Sequence, residues 1–110
     1  MITIRLNADP GLSEQILEDA ARAALDLAPE VVGDLTLVMS HDHELQRLNR
    51  EFLEKDEPTD VLAFPSGEVD PETGSLYLGD IIISLDAAAR QARQAGHSLT
   101  SEIQLLVVHG

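Results

Sequence analysis

The side chains here that could move protons, hold a metal or meet a phosphate are histidines, carboxylates and a few basic residues. Cysteine is absent, which excludes thiolate ligands, thiol nucleophiles and disulfides and fits a reducing compartment. His109 ends the apolar run Glu102-Ile103-Gln104-Leu105-Leu106-Val107-Val108, which reads as a core helix. Counting back, Leu106, Leu105 and Glu102 lie on its side. A histidine so placed opens a metal site when a second one follows a turn later. A lone histidine on such a face otherwise packs as a satisfied core residue, and the residues alone leave both readings open. His41 and His43 are two apart at a helix start, a spacing that shares a face on a strand but not on a helix. They read as solvated side chains. His97 falls between Gly96 and Ser98 and is expected to close one helix or pack the turn to the next.

Asp56-Glu57-Pro58-Thr59-Asp60 offers carboxylates and a hydroxyl. Such a loop can run acid–base chemistry, or it can simply make turns, since Asp and Thr bond nearby backbone groups. Gly79-Asp80 lies inside a strand pattern, where glycine marks a bulge or a close backbone approach. The aspartate there is expected to have a structural partner. Arg47, Arg50, Lys55, Arg90 and Arg93 are the cationic candidates of the later two thirds of the chain; Arg90 and Arg93 read as helix-surface charge. No glycine-rich phosphate loop and no Ser-His-Asp triad is legible.

The elements that must position these groups follow from periodicity. Ile2, Ile4 and Leu6 alternate with polar residues, a half-buried strand. Asp9-Pro10-Gly11 breaks it. A helix from Leu12 to Leu27 follows, its stripe formed by Ile16, Leu17, Ala20, Ala24 and Leu27, with Pro29 and Gly33 ending the segment. Leu35–Met39 is a more buried strand. Ser40 is expected to cap a helix that turns Leu45, Leu48 and Phe52 inward. Lys55–Pro58 is an exposed loop, Thr59–Phe64 is extended, and Ser66–Ser75 is a polar hairpin excursion. Leu76–Leu85 is a strand. Asp86–Ala95 is a helix ended by Gly96, and Ser98 caps the last helix. The first two strands favour parallel pairing, and the later two an antiparallel edge. The expected fold is one α+β domain over residues 1–110, a small mixed four-stranded sheet with helices packed on it.

Seven Lys and Arg against twenty Asp and Glu give a net charge of -13. Such a surface repels phosphate backbones, so RNA chemistry must rely on a local cationic patch, a metal or a partner. Two Phe and one Tyr leave little for a base-stacking platform. No stretch approaches the roughly 20 apolar residues of a membrane span, and the alternating N-terminus does not read as a secretion signal.

Several stretches together resemble the YbeY family, bacterial rRNA maturation factors described as metal-dependent endoribonucleases. They are Leu48-Asn49, Lys55-Asp56-Glu57-Pro58-Thr59-Asp60-Val61-Leu62-Ala63-Phe64-Pro65, Leu78-Gly79-Asp80-Ile81-Ile82-Ile83-Ser84, Gln91-Ala92, Gly96-His97-Ser98, Glu102, Leu105 and Val108-His109-Gly110. The order and spacing agree from about Leu35 onward. The family signature reads His-Gly-x-Leu-His-Leu-x-Gly-Tyr-Asp-His, and its histidines bind one zinc. The resemblance therefore implies a zincin-like helix with His109 as the first zinc ligand, and assigns the other ligands to positions after Gly110. On that basis residues 1–110 are expected to lack the C-terminal end of the domain and to be inactive alone. An ion so held lowers the pKa of a bound water and polarises a phosphoryl oxygen.

The resemblance further implies a cytoplasmic, single-strand-specific endoribonuclease of rRNA maturation and ribosome quality control. Its partners would be single-stranded RNA, rRNA and the ribosome; neither DNA nor a membrane is expected. Family members often carry an arginine two places before the lysine of the Lys-Asp-x-Pro-Thr block, and Leu53 stands there. Arg50 and Lys55 are the substrate-binding candidates that remain near it. A non-catalytic ribosome- or protein-binding module is the alternative, favoured by Leu53 and by the charge. A metal-dependent peptidase would need a glutamate beside the first histidine, and Gly110 occupies that place.

Overall fold

The computed structural model describes residues 1–9, 11–27 and 33–109, with residue 109 described by its backbone alone. The expected stops at Pro10 and Pro29, the His109 side chain and Gly110 lie outside the described residues. The elements are β1 (Ile2–Leu6), α1 (Glu14–Leu25), β2 (Asp34–Ser40), α2 (Asp42–Leu53), β3 (Val61–Pro65), β4 (Tyr77–Ser84), α3 (Leu85–Ala95) and α4 (Leu99–His109). The sheet order is β1-β2-β4-β3. β1 and β4 both run parallel to β2, and β3 forms the antiparallel edge on β4. This is the expected mixed four-stranded α+β architecture.

Strand alternation gives the sheet two different faces. Leu35, Leu37, Met39, Ile81 and Ile83 point to one, where they form a continuous core with Leu17, Ala21 and Ala24 of α1, Ala88 of α3 and Ile103, Leu106 and Val107 of α4. Burying these chains supplies most of the driving force for folding. On the other face Val38, Leu62 and Ile82 lie in register beneath α2, which buries Leu45. Polar residues share this second face: Ser40 and Ser84 pair across β2 and β4, as do Thr36 and Asp80.

Local chemistry accounts for most element ends. The Ser13 hydroxyl accepts the Ile16 N–H at 3.2 Å and starts α1. Ser98 caps α4 as expected, accepting the Ser101 N–H at 3.1 Å. Gly96 closes α3 with φ +71, a left-handed conformation that costs glycine nothing. Within β4 the expected bulge occurs: Asp34 pairs with Tyr77 and Leu35 with Gly79, leaving Leu78 over. The expected close approach occurs as well. Gly79 has φ +133, and a Cβ there would run into the Phe64 carbonyl oxygen and sit 2.9 Å from Pro65 Cα.

Three expectations are corrected. Ser40 does not cap α2; it is the last residue of β2, and its hydroxyl donates to Glu44 Oε1 at 2.7 Å. The N-cap is His41, with no side-chain capping bond. Phe52 does not turn into the core. It is 62% exposed because the last turn of α2 overhangs the edge strand, where its ring meets Phe64 edge-on at 5.4 Å. Leu27 is exposed because α1 ends at Leu25, with Asp26 as its C-cap.

Candidate functional site

Helix α2 connects the groups of interest. Its first residue, Asp42, faces the start of α3. The Ser84 hydroxyl donates to Asp42 Oδ1 at 2.5 Å, and Arg90 donates to Oδ2 at 3.0 Å. The same Ser84 oxygen caps α3 by accepting the Ala87 N–H at 3.2 Å. The Ser84 hydroxyl, and secondarily Arg90, hold the Asp42 carboxyl below the ordinary carboxylate range. Asp42 is therefore an anion at neutral pH, an acceptor rather than a proton donor. Two residues on, the Ser40 hydroxyl does the same for Glu44, which also accepts from the Asn7 amide at 3.2 Å.

Between α2, α3 and the approach to β3 lies an open cleft of about 330 Å³ lined by Asp42, Pro58, Thr59, Asp60, Ala87, Arg90 and Gln91. Gln91 donates to Asp60 Oδ2 at 3.1 Å, and the Asp60 carbonyl accepts the Ser84 N–H at 2.9 Å. The Thr59 hydroxyl donates to the Val61 carbonyl at 3.3 Å. Asp60 and Thr59 thus act as turn and joint residues, and Asp56 accepts from Gln46 at 3.1 Å. These bonds favour the turn-making alternative for this loop. The guanidinium of Arg90 is compensated by Asp42, a role in the cleft wall beyond simple surface charge. Arg93 is exposed, as expected.

The substrate-binding candidates sit where α2 ends. Arg50 lies 3.9 Å from Asp56 Oδ1, with its side chain more than half exposed. Glu54 turns the chain out of the helix with φ 58, and Lys55 follows, exposed and in no ion pair among the described residues. Leu53, at the position where an arginine would suit a phosphate, is 52% exposed.

His41 and His43 are exposed, as expected, with their rings stacked at 6.1 Å. His97 closes the joint between α3 and α4. Its N–H reaches the Ala92 carbonyl at 3.1 Å, and its Nε2 lies 2.6 Å from Glu102 Oε1. Glu102 is 7% exposed, so this contact gives a buried carboxylate its partner. Asp80 has the structural partner expected of it, the Tyr77 hydroxyl, which also lies 2.7 Å from the Thr36 hydroxyl. Burial, and then Asp80, push the Tyr77 phenol up from its ordinary value.

His109 is the last residue of α4, and its ring lies outside the described residues. Among the described residues, no three His, Cys, Asp or Glu side chains come together in a way that could hold a metal ion. The described side chains therefore do not by themselves make the zinc cage that the resemblance implies. No helix among the described residues is long and apolar enough to cross a membrane.

Sequence reasoning missed Ser84 as the joint of β4, α3 and α2, and Asn49 as a buried loop anchor. Both left a trace. Ser84-Leu85-Asp86 has the form of an N-cap followed by an acidic first turn. Asn49 follows Leu45 by four on an inward stripe, where an amide must find partners.

An α+β protein with a polar cleft beside its antiparallel edge strand is the class that this fold and site define. The profile of the family described as Endoribonuclease YbeY matches residues 5–110. The chain belongs to the YbeY family. It is 41% identical over 100 residues to "Endoribonuclease YbeY" of Aquifex aeolicus, covering 87% of this chain and 65% of that protein. It is 47% identical over 91 residues to the protein of the same name from Synechocystis, covering 76% and 51%. The chain thus spans between half and two thirds of the length of these two relatives. The solution structure of TM1509 from Thermotoga maritima has a similar fold, with a TM-score of 0.62 at 26% identity, covering 100% of this chain and 69% of that one.

Proposed function

We propose that this chain is part of a zinc-dependent, single-strand-specific endoribonuclease that acts in the cytoplasm in rRNA maturation and ribosome quality control. The observation that carries the reading is family membership over residues 5–110, among relatives named as endoribonucleases. Residues 1–110 act as one YbeY-like domain. Zinc is the cofactor the family implies, and His109 is one of its ligands, completed by the histidines of the family signature.

Arg50 and Lys55 contact RNA phosphates. Lys55 suits this role because no carboxylate among the described residues neutralises it, and Arg50 is only loosely held, 3.9 Å from Asp56, whereas Arg47 and Arg90 are paired with acids at 3.2 and 3.0 Å. With a net charge of -13 the protein repels RNA at long range, so affinity rests on these few cations and falls with salt. Asp42 stays ionised and keeps Arg90 fixed in the cleft wall.

Zinc content and RNA cleavage by a protein carrying the whole signature test this reading. The expected result is one bound zinc, cleavage of single-stranded RNA, and weaker RNA binding in Lys55→Ala and Arg50→Ala. A zinc-loaded protein that leaves RNA intact would overturn the nuclease reading. That result would favour the second reading, a non-catalytic ribosome- or protein-binding module, to which the exposed Leu53 and the acidic surface are suited.

A further inference from the structure

We infer that Asn49 is a positioning residue for Lys55: its buried amide ties down the loop that presents the lysine to RNA. The inference rests on the reading above that Lys55 meets a phosphate.

Asn49 is 3% exposed, one of few buried polar residues. An asparagine is a poor choice for a helix interior on propensity alone, and a buried amide is unfavourable unless its hydrogen bonds are made. Asn49 directs those bonds at the chain that follows its own helix. Its side-chain Nδ2 donates to the Glu57 carbonyl at 3.1 Å, and its backbone carbonyl accepts the Lys55 N–H at 3.2 Å. The Glu57 N–H in turn donates to the Lys55 carbonyl at 3.0 Å. The left-handed Glu54 reverses the chain so that these bonds can close. Residues 55–57 are thereby folded back against α2 although their side chains are exposed.

The Lys55 N–H bond to the Asn49 carbonyl would survive any side chain at position 49. The bond to Glu57 would not, and it is the one that closes the far side of the loop. Without it, Lys55 follows a helix end rather than a fixed turn. The Lys55 backbone then loses its set place three residues before Pro58, which lines the cleft, and part of the benefit of preorganisation is lost.

The experiment is a double-mutant cycle on binding of a single-stranded RNA oligonucleotide, with Asn49→Leu, Lys55→Ala and the double variant. Leucine keeps the branched shape of asparagine but brings neither a donor nor a charge. Lys55→Ala is expected to weaken binding and to lower the salt slope by about one. Asn49→Leu is expected to weaken binding about five-fold, the value of one hydrogen bond, and to have no further effect once Lys55 is alanine. An equal loss in both backgrounds would overturn the positioning role while leaving Lys55 as an RNA contact. If Lys55→Ala leaves binding unchanged, Lys55 is no RNA contact and the inference fails, while the nuclease reading still stands or falls on the cleavage assay. Should Asn49→Leu not fold, hydrogen exchange of the Asn49 side-chain amide in the unaltered protein decides. Slow exchange there supports the tie, and exchange at the rate of a free side-chain amide overturns it.

Discussion

The two faces of the sheet are built on different principles. Toward α1, α3 and α4 the contacts are apolar and continuous, running through Leu37, Met39, Ile83 and Ile103, all fully buried. Toward α2 the apolar contact is narrow, centred on Leu45, and hydrogen bonds define the rest. Ser84 bonds Asp42, Ser40 bonds Glu44, and Asn49 bonds the loop. Apolar packing is non-directional and supplies stability, whereas hydrogen bonds add little net free energy but fix geometry. The hydrogen-bonded groups of the cleft, from Asp42 to Gln91, lie where α2 on the second side meets α3 at the rim of the sheet, whereas His109 ends α4 on the apolar side. The cleft is thus defined mainly by directional bonds and the stability mainly by the apolar side.

Substitutions of decreasing expected effect test this contrast. Leu37→Ala removes a fully buried side chain from the apolar face and should cost about 2–5 kcal/mol in a urea unfolding titration. A loss below about 1 kcal/mol would show that the apolar face is not the main source of stability. Gly79→Ala is next. Its Cβ meets the Phe64 carbonyl at an unfavourable φ, so it should cost on the order of 1–3 kcal/mol and loosen β3 first, seen as faster amide exchange at Val61–Phe64.

Ser84→Ala removes the cap of α3 and the donor to Asp42 together. It should cost about 1–2 kcal/mol and raise the Asp42 pKa, readable by carboxyl NMR titration. An unmoved Asp42 would break the link between the serine and the cleft wall. The pH dependence follows in size. Asp42 and Glu44 have folded pKa values lowered mainly by Ser84 and Ser40 hydroxyls. Their contribution is therefore present above the unfolded carboxylate range and is lost as pH falls through the folded values. Melting temperature should drop on acidification to about pH 3, and Asp42→Asn should flatten that drop. Smallest is Glu51→Gln. Its ion pair with Arg47 is half exposed, so the change should be about 0.3–0.5 kcal/mol and vanish in high salt.

Much of the fold was legible residue by residue. The alternation of Ile2, Ile4 and Leu6, the Ser98 cap and the Gly96 stop each act within a turn or a strand, where the physics is local. The Gly79 bulge was legible for the same reason, since glycine within an apolar strand has few other uses. Phe52 was misjudged because its inward stripe is real but the sheet ends beneath it. Ser40 was misjudged because β2 runs one residue further and carries its hydroxyl to Glu44 instead.

The site was less legible, because its bonds join residues far apart in the chain. Ser84 meets Asp42 across 42 positions, Arg90 meets the same carboxylate across 48, and Gln91 meets Asp60 across 31. By itself the sequence determined the strand and helix pattern, the acidic surface and the family motifs, all set by side-chain type and short spacing. Only the tertiary structure decided which carboxylates are spent on joints, that the one lysine pairs with no acid among the described residues, and which asparagine ties down a loop. Those outcomes depend on distances between elements, and no local rule carries such distances.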